Sequence, residues 1–376
     1  MKKSLLALAV LGAFAGVASA QSSVNLYGTV DLSAKYVKND GSARRLSLSQ
    51  DGINSSQLGF RGTEDLGGGL KANFTLISGV NADTGTVSTK FFNRRSTVSL
   101  LGGFGEVRLG RDYTPTFWNN TIFDVFGTNG LGDSSHVLQL PTSTFVRADN
   151  SIGYFLPSNI GGVYGQLMVA AAEGGNTLGT NGQQGSATGS GQNCAVADPL
   201  PLITGGPVSC STAVTSNPGR YLGGRVGFAA GPFDIAGSFG QQRFNTGTPN
   251  QKTYNIGGSF DARVVKVLGY FNRDTVASLR ENRFNVGVSV PIGQSEIHAS
   301  YSRSKLSGAS VNPKIDQFAL GYVYSLSKRT AVYATAAILD NDVGARASVA
   351  GGTAIVAPPT SGGKSKGAEF GVRHFF

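Results

Sequence analysis

The 376 residues carry 32 Lys and Arg against 22 Asp and Glu, a formal net charge of +10, with 54 Gly, 13 Pro and only two Cys. Two cysteines exclude a disulfide-dense scaffold and a cysteine-built structural zinc site. The mean hydropathy is −0.04, and the glycines lie between apolar and aromatic residues in short alternating runs, a pattern foreign to a disordered tract.

Lys2 and Lys3 precede an apolar run from Leu5 to Val17, and Ala18-Ser19-Ala20 supplies a small-x-small cleavage site. Residues 1–20 are therefore expected to be a cleaved signal peptide, and 21–376 a single domain. The apolar run is far shorter than the ~20 residues a spanning helix needs. Loss of Lys2 and Lys3 lowers the formal charge from +10 to +8. In an oxidising compartment, Cys194 and Cys210 are candidates for one bridge, worth about 3 kcal/mol in the loop-entropy account, against two free thiols.

The rest reads as strands with a period of two. Val24, Leu26, Val30 and Leu32 open the series, followed by Leu58 and Phe60, then Leu70, Ala72, Phe74 and Leu76. A less regular run at 91–101 precedes Val107 and Leu109, and Ile152, Tyr154 and Leu156. Runs at 163–172 and 220–229 come next, then Phe233, Ile235 and Phe239, Tyr254, Ile256 and Phe260, and Val265, Val267 and Phe271. Phe284 to Val290, Ile297 to Tyr301, Phe318 to Tyr324, 330–339 and 366–376 complete about sixteen.

Short connections with turn chemistry, such as Asp65-Leu66-Gly67-Gly68-Gly69 and Pro291-Ile292-Gly293, separate long ones at 38–51, 114–146, 174–219 and 340–364. An all-β, sixteen-stranded antiparallel transmembrane barrel explains this sorting, with short turns on the periplasmic side and long loops outside. It also explains the hydropathy, since each strand turns an apolar face to lipid and a polar face to a wet lumen. Closure of the first strand on the last removes every free edge. In the last strand Phe370, Val372, His374 and Phe376 share one face. This aromatic terminus is the expected signal for the barrel-assembly machinery.

Several separated motifs then agree in order and spacing: Ser22-Ser23-Val24-Asn25-Leu26-Tyr27-Gly28, Leu58-Gly59-Phe60-Arg61-Gly62-Thr63-Glu64-Asp65-Leu66, Arg94-Arg95-Ser96-Thr97-Val98-Ser99-Leu100 and Phe104-Gly105-Glu106-Val107-Arg108-Leu109-Gly110-Arg111. With Leu320-Gly321-Tyr322, Leu326-Ser327-Lys328-Arg329-Thr330 and the ending Gly371-Val372-Arg373-His374-Phe375-Phe376, they resemble the trimeric general porins of Gram-negative bacteria. The match is nearest to the anion-selective porins of β-proteobacteria, over essentially the whole mature chain. It implies a homotrimer of water-filled channels for passive diffusion of small hydrophilic solutes. It also implies a third outer loop folded inward, here about 114–145, with Pro115, Trp118, Phe123 and Phe126 as packing residues. The loop at about 174–219 is divergent.

The resemblance further implies arginines on the wall opposite that loop, at the positions of Arg94 and Arg147. Alternation with Ile152 and Tyr154 independently puts Arg147, Asp149 and Ser151 inward, whereas Val98 and Leu100 share the parity of Arg94, so Arg95 is the alternative in that pair. Gln57 and Ile77 stand where relatives carry a third arginine and an acidic neighbour, which removes charge. Parity alone adds Arg61, Lys71, Asn73, Arg108, Lys266 and Arg283 as inward candidates, and the inward loop carries only Asp124 and Asp133 as acids. An anion preference from the constriction follows. Arg111, on the apolar parity of Val107 and Leu109, needs a neighbour if it is not to face lipid.

Alternative readings are a channel selective for phosphate or organic acids, an adhesin or receptor acting through its long loops, and a hydrolase built on His298 with Ser300 and Ser302. His136, His298 and His374 have no zinc-binding spacing, and no dinucleotide or phosphate loop is present, so neither metal, cofactor nor catalysis is expected. The basic charge of an exported chain is directed at anionic solutes, outer-membrane lipids and lipopolysaccharide, not at nucleic acid.

Overall fold

The computed structural model describes residues 23–87, 90–140, 146–171, 220–243, 249–350 and 357–376. Residues 1–20, expected to be a cleaved leader, and Cys194, Cys210 and the loop at 174–219 lie outside the described residues. Among these residues sixteen strands build one antiparallel barrel. They are β1 (Ser23–Asn39), β2 (Arg45–Gln50 continued by Gln57–Gly67), β3 (Leu70–Asn81), β4 (Arg95–Gly102), β5 (Gly105–Tyr113), β6 (Arg147–Phe155), β7 (Val163–Ala170) and β8 (Tyr221–Ala230). The second half is β9 (Phe233–Gln242), β10 (Gln251–Asp261), β11 (Lys266–Val276), β12 (Leu279–Ile292), β13 (Ser295–Ser307), β14 (Lys314–Ser325), β15 (Thr330–Asn341) and β16 (Lys364–Phe375).

Each strand pairs with its chain neighbour, and β16 closes on β1 from Thr29 opposite Phe375 to Asn39 opposite Ser365. Closure leaves no free sheet edge among the described strands, which a hydrocarbon surrounding demands. The Phe376 ring lies where a side chain on Gly28 would stand, and the two residues exchange backbone hydrogen bonds of 3.1 Å.

Alternation fixes the two faces. On β14, Phe318 and Leu320 are 60% and 58% exposed, whereas Gln317 and Ala319, on the alternate positions, are 1% and 6%. Apolar side chains thus point outward, and the polar or small ones point into the barrel. Val226, Ile235, Ile256 and Phe370 continue the outer band.

Three departures from simple alternation shape the lumen. Between its two halves, β2 leaves the ladder over Asp51–Ser56, and Asp31 on β1 holds this excursion by accepting from the backbone N–H groups of Ile53 (2.9 Å) and Asn54 (2.8 Å). A register shift between Gly110 and Asp112 on β5 faces Asn150 on β6, which has φ +53°. Such a bulge turns the residues beyond it to new directions. The outer connections are also uneven, since β11 and β12 are joined by Ala277 and Ser278 alone.

After β5 the chain forms a short helix, α1 (Pro115–Ile122). Thr114 caps it by accepting from the N–H of Phe117, and Pro115 fits the first turn, where no N–H bond is needed.

Candidate functional site

The segment from Thr114 to Leu140 lies inside the barrel, anchored on β8 to β16 and on the Asp51–Ser56 excursion. Asn119 donates to the carbonyl of Ala236 (2.9 Å) and to the side chain of Asn255 (3.0 Å). Glu369 accepts from the N–H of Leu131 (2.9 Å), and Gln317 donates to the carbonyls of Leu131 (3.0 Å) and Asp133 (3.2 Å). Glu281 accepts from the N–H groups of Gln139 (3.1 Å) and Leu140 (2.8 Å). Wall carboxylates and amides thereby satisfy backbone groups that a loop buried in a lumen would otherwise leave unpaired.

Apolar contacts set the depth of the segment. A β-carbon at Gly257 would fall on the Phe123 ring, one at Gly287 on Val125, one at Gly321 on Phe126 and one at Gly367 on Leu131 and Val349. Lumen-facing glycines on alternate strands therefore form sockets for four consecutive anchors, a close approach that only a missing side chain permits. Phe126, Leu131 and Val137 share a buried cluster with Ala345 and Val349, so the last outer loop also packs against this segment. The polar half of the lumen is left along β2 to β6.

There the arginines gather. The Arg147 guanidinium lies 4.5 Å from the centre of the Tyr113 ring and donates to the Tyr113 hydroxyl at 3.1 Å. Arg94 stands just before β4, outside strand alternation, and within electrostatic reach of Tyr113, Arg147 and Asp51. Arg95, on the lumenal parity of Thr97 and Ser99, lies 5.6 Å from the Tyr113 ring, so both members of the pair converge on one place. Their charges are compensated differently. Arg95 pairs with Asp112 at 2.7 Å, whereas among the described residues neither Arg94 nor Arg147 has a carboxylate within ion-pair distance. Both also bury an Nε–H without a partner there.

Other sequence candidates sort by the same criterion. Arg108 is inward but neutralised, bonded twice to Glu106 (2.9 Å each) and once to Asp112 (2.5 Å). Arg283 is 1% exposed and lies 3.3 Å from Asp274 and 3.4 Å from Glu281, so it belongs to the wall's interior and not to the passage. Arg61 is exposed, 5.2 Å from the Tyr27 ring, and Gln57 lies on the same strand nearer the excursion. Asp124 and Asp133 do not line the passage. The Asp124 carboxylate accepts from the N–H groups of Phe126, Thr128 and Ser134 and from the Ser134 hydroxyl, and Asp133 caps Ser135. Burial pushes Asp124 up to about 6.

Two parity expectations are corrected by the bulge. Ala148, not Arg147 or Asp149, carries the lumenal parity, packing with Met168, Ala170 and Tyr221. Arg147 reaches Tyr113 because both strands end there. Asp149 pairs with Lys90 (2.5 Å) and Arg111 (2.6 Å), and Arg111 also donates to the carbonyl of Asn93. Arg111 is thus satisfied within its own chain and needs no neighbouring subunit.

Sequence reasoning passes over Arg225 and Tyr113, although alternation could have found the first. Arg225 shares the inward parity of Tyr221 and bonds Asn119 and Tyr164, bracing α1. His298 packs edge-on against Phe126 and lies 3.1 Å from Glu296, while Ser302 accepts from Asn285. Among the described residues His298 bonds neither Ser300 nor Ser302. At the barrel seam, His374 bonds Thr330 at 2.9 Å, and Phe370, Val372 and Phe376 are exposed on the outer face.

A family model described as Gram-negative porin matches residues 7–344. The sequence is 35% identical to outer membrane porin protein 32 of Delftia acidovorans over the full length of both chains. It is 31% identical to an outer membrane porin protein of Bordetella pertussis over 89% of this chain and 93% of that one. Among solved structures, an anion-selective porin from Comamonas acidovorans superposes with a TM-score of 0.76 at 31% identity, covering 95% of this chain and 100% of that one. A trimer form of OmpT from Vibrio cholerae, 12% identical with a TM-score of 0.60, covers 94% and 99% and shares the fold alone.

Proposed function

Because the chain belongs to the Gram-negative porin family and is an outer-membrane barrel, we propose that it passes small hydrophilic solutes passively, favours anions, and draws that preference from Arg94 and Arg147. The carrying observation is the uneven compensation of charge. Arg95 and Arg108 share Asp112 and Glu106, so this group of four sums to zero, whereas Arg94 and Arg147, gathered near Tyr113, have no carboxylate partner among the described residues. Low-dielectric walls focus the field of such unneutralised cations on a passing ion. The segment from Thr114 to Leu140 acts as the constriction, narrowing the lumen against that wall.

The family relation to an anion-selective porin supports the sign of the preference, and a homotrimer is part of the same proposal. Outer-leaflet lipids and lipopolysaccharide surround the outer band, and the assembly machinery reads Phe370, Val372, His374 and Phe376. Solutes move down their gradients without chemistry. The zero-current potential of the purified protein in a planar bilayer under a salt gradient tests this reading. A sign that reports excess cation flow would overturn the preference, and electrically silent membranes would overturn the channel. Block of the current by micromolar phosphate or organic acid would instead favour the substrate-selective alternative.

A further inference from the structure

The outer face of β12 to β15 carries an open groove of about 470 Å³, lined by Val286, Val288, Tyr301, Phe318, Leu320 and Ile338. Tyr301 and Phe318 stack at 4.5 Å and form its upper ledge. Above the ledge, toward the long-loop end, the same outward parity carries two further rows. The first pairs Arg303 with Asp316, which accepts from the guanidinium at 2.6 and 3.1 Å and from the Tyr301 hydroxyl at 2.5 Å. The second sets Lys305 directly opposite Lys314.

That second pair is the anomaly. Like charges directly opposite on one face of neighbouring strands destabilise the pairing. Both lysines are exposed, and among the described residues neither has a carboxylate within ion-pair distance. Asp316 is taken by Arg303 and Tyr301, Asp340 by Lys364 at 2.9 Å, and Asp342 accepts from the backbone N–H of Lys314 at 3.1 Å. Arg280 adds a third exposed cation on the same outer parity, opposite Ser307. The lysines stand four residues along the strands from the aromatic ledge, about 13 Å at the usual strand rise. The face therefore sets cationic groups on the long-loop side of an apolar trough, the order in which an outer-leaflet lipid presents its headgroup and its acyl chains.

We propose that a phosphorylated lipid of the outer leaflet docks here, a phosphate bridging Lys305 and Lys314 and one acyl chain lying in the groove. The site rests on the outer-membrane placement but not on ion selectivity, since none of these side chains faces the lumen. It localises a lipid contact to one face of the barrel.

The test is native mass spectrometry of the folded, detergent-solubilised protein titrated with a diphosphorylated, multiply acylated glycolipid. A dephosphorylated form of the same lipid and inorganic phosphate serve as separate probes. Each lysine near an anionic lipid contributes enough that the double variant Lys305→Gln/Lys314→Gln should bind the phosphorylated lipid roughly thirtyfold more weakly. Filling the groove with Ala336→Phe should weaken it too, while Lys252→Gln, on the outer face of β10, should not. Equal affinity for the dephosphorylated lipid would overturn the proposal, as would full competition by inorganic phosphate or an equal loss in Lys252→Gln. So would cysteine cross-linking at Ala336 between copies, which would assign the face to a second chain. Zero-current potentials of the same variants separate the two readings: unchanged conduction with unchanged lipid binding removes the lipid site alone.

Discussion

Replacing Arg147 by serine removes one of the two cations near Tyr113 that lack a carboxylate partner among the described residues, while leaving the strand and the Tyr113 ring in place. A univalent ion passing about 5 Å from a guanidinium feels about 0.8 kcal/mol in the dielectric of water. A screening length of about 8 Å reduces this to about 0.45 kcal/mol. Attraction of the anion and repulsion of the cation both count, so two charges separate them by about 1.8 kcal/mol and one by about 0.9, roughly twentyfold and fivefold preferences. Under a tenfold gradient of a univalent salt, these ratios correspond to zero-current potentials of about 49 and about 30 mV, from the 59 mV per decade of a single charge. Arg147→Ser should therefore lower the potential by about 20 mV without reversing it. The double variant Arg108→Gln/Glu106→Gln removes a bonded pair of opposite charges and should leave the potential in place. If Arg147→Ser does not move the potential, or the Arg108/Glu106 variant moves it as far, uncompensated charge is not what selects the ion.

Three further outcomes follow from the anchoring of the inward segment and the seam. Asp124 has its carboxyl raised from 3.8 to about 6 in the folded protein, so the folded state holds the proton more tightly and stability falls as pH rises between those values. Relative to Asp124→Asn, the native protein should gain about 1.4 kcal/mol between pH 7.5 and pH 5, one pH unit below the folded value, read from denaturant midpoints at both pH values. Gly257→Val places branched carbons on the Phe123 ring, an overpacking of about 1–3 kcal/mol, and should raise single-channel conductance or current noise as the segment is displaced. Deleting Phe376 removes the ring over Gly28 and two backbone bonds, each worth about 1 kcal/mol, and should lower the yield of folded barrel by heat-modifiable gel mobility.

The barrel was legible because it is made of many repeats of one signal. Outward apolar residues at alternate positions, from Val24 to Phe376, survive individual irregularities. The site was legible only where a single strand's alternation suffices. Glu106 and Arg108 lie two apart on one face, so their pairing could be read directly, and the neutrality of Arg108 with it. The share that Asp112 takes could not, because it depends on the bulge at Gly110 and on the register with β6. The same bulge defeated the inward assignment of Asp149 and the lipid-facing cost assigned to Arg111, since the two bond each other.

Glycine was the larger blind spot. Gly257, Gly287, Gly321 and Gly367 look like ordinary gaps in an alternating pattern. Their meaning lies in residues more than a hundred positions away in the chain, because a socket exists only once a knob arrives. Phe123, Val125, Phe126 and Leu131 are those knobs, and they explain why a segment without a long helix can hold a fixed depth in a wide barrel. Asp124 belongs to the same logic: an acid that reads as a cation partner is drawn inward to bind the turn between Phe126 and Ser134. Its withdrawal from the wet surface leaves the passage with fewer acids than a count of the segment implies. On the reading proposed here, this strengthens the bias set by Arg94 and Arg147 without adding a single base.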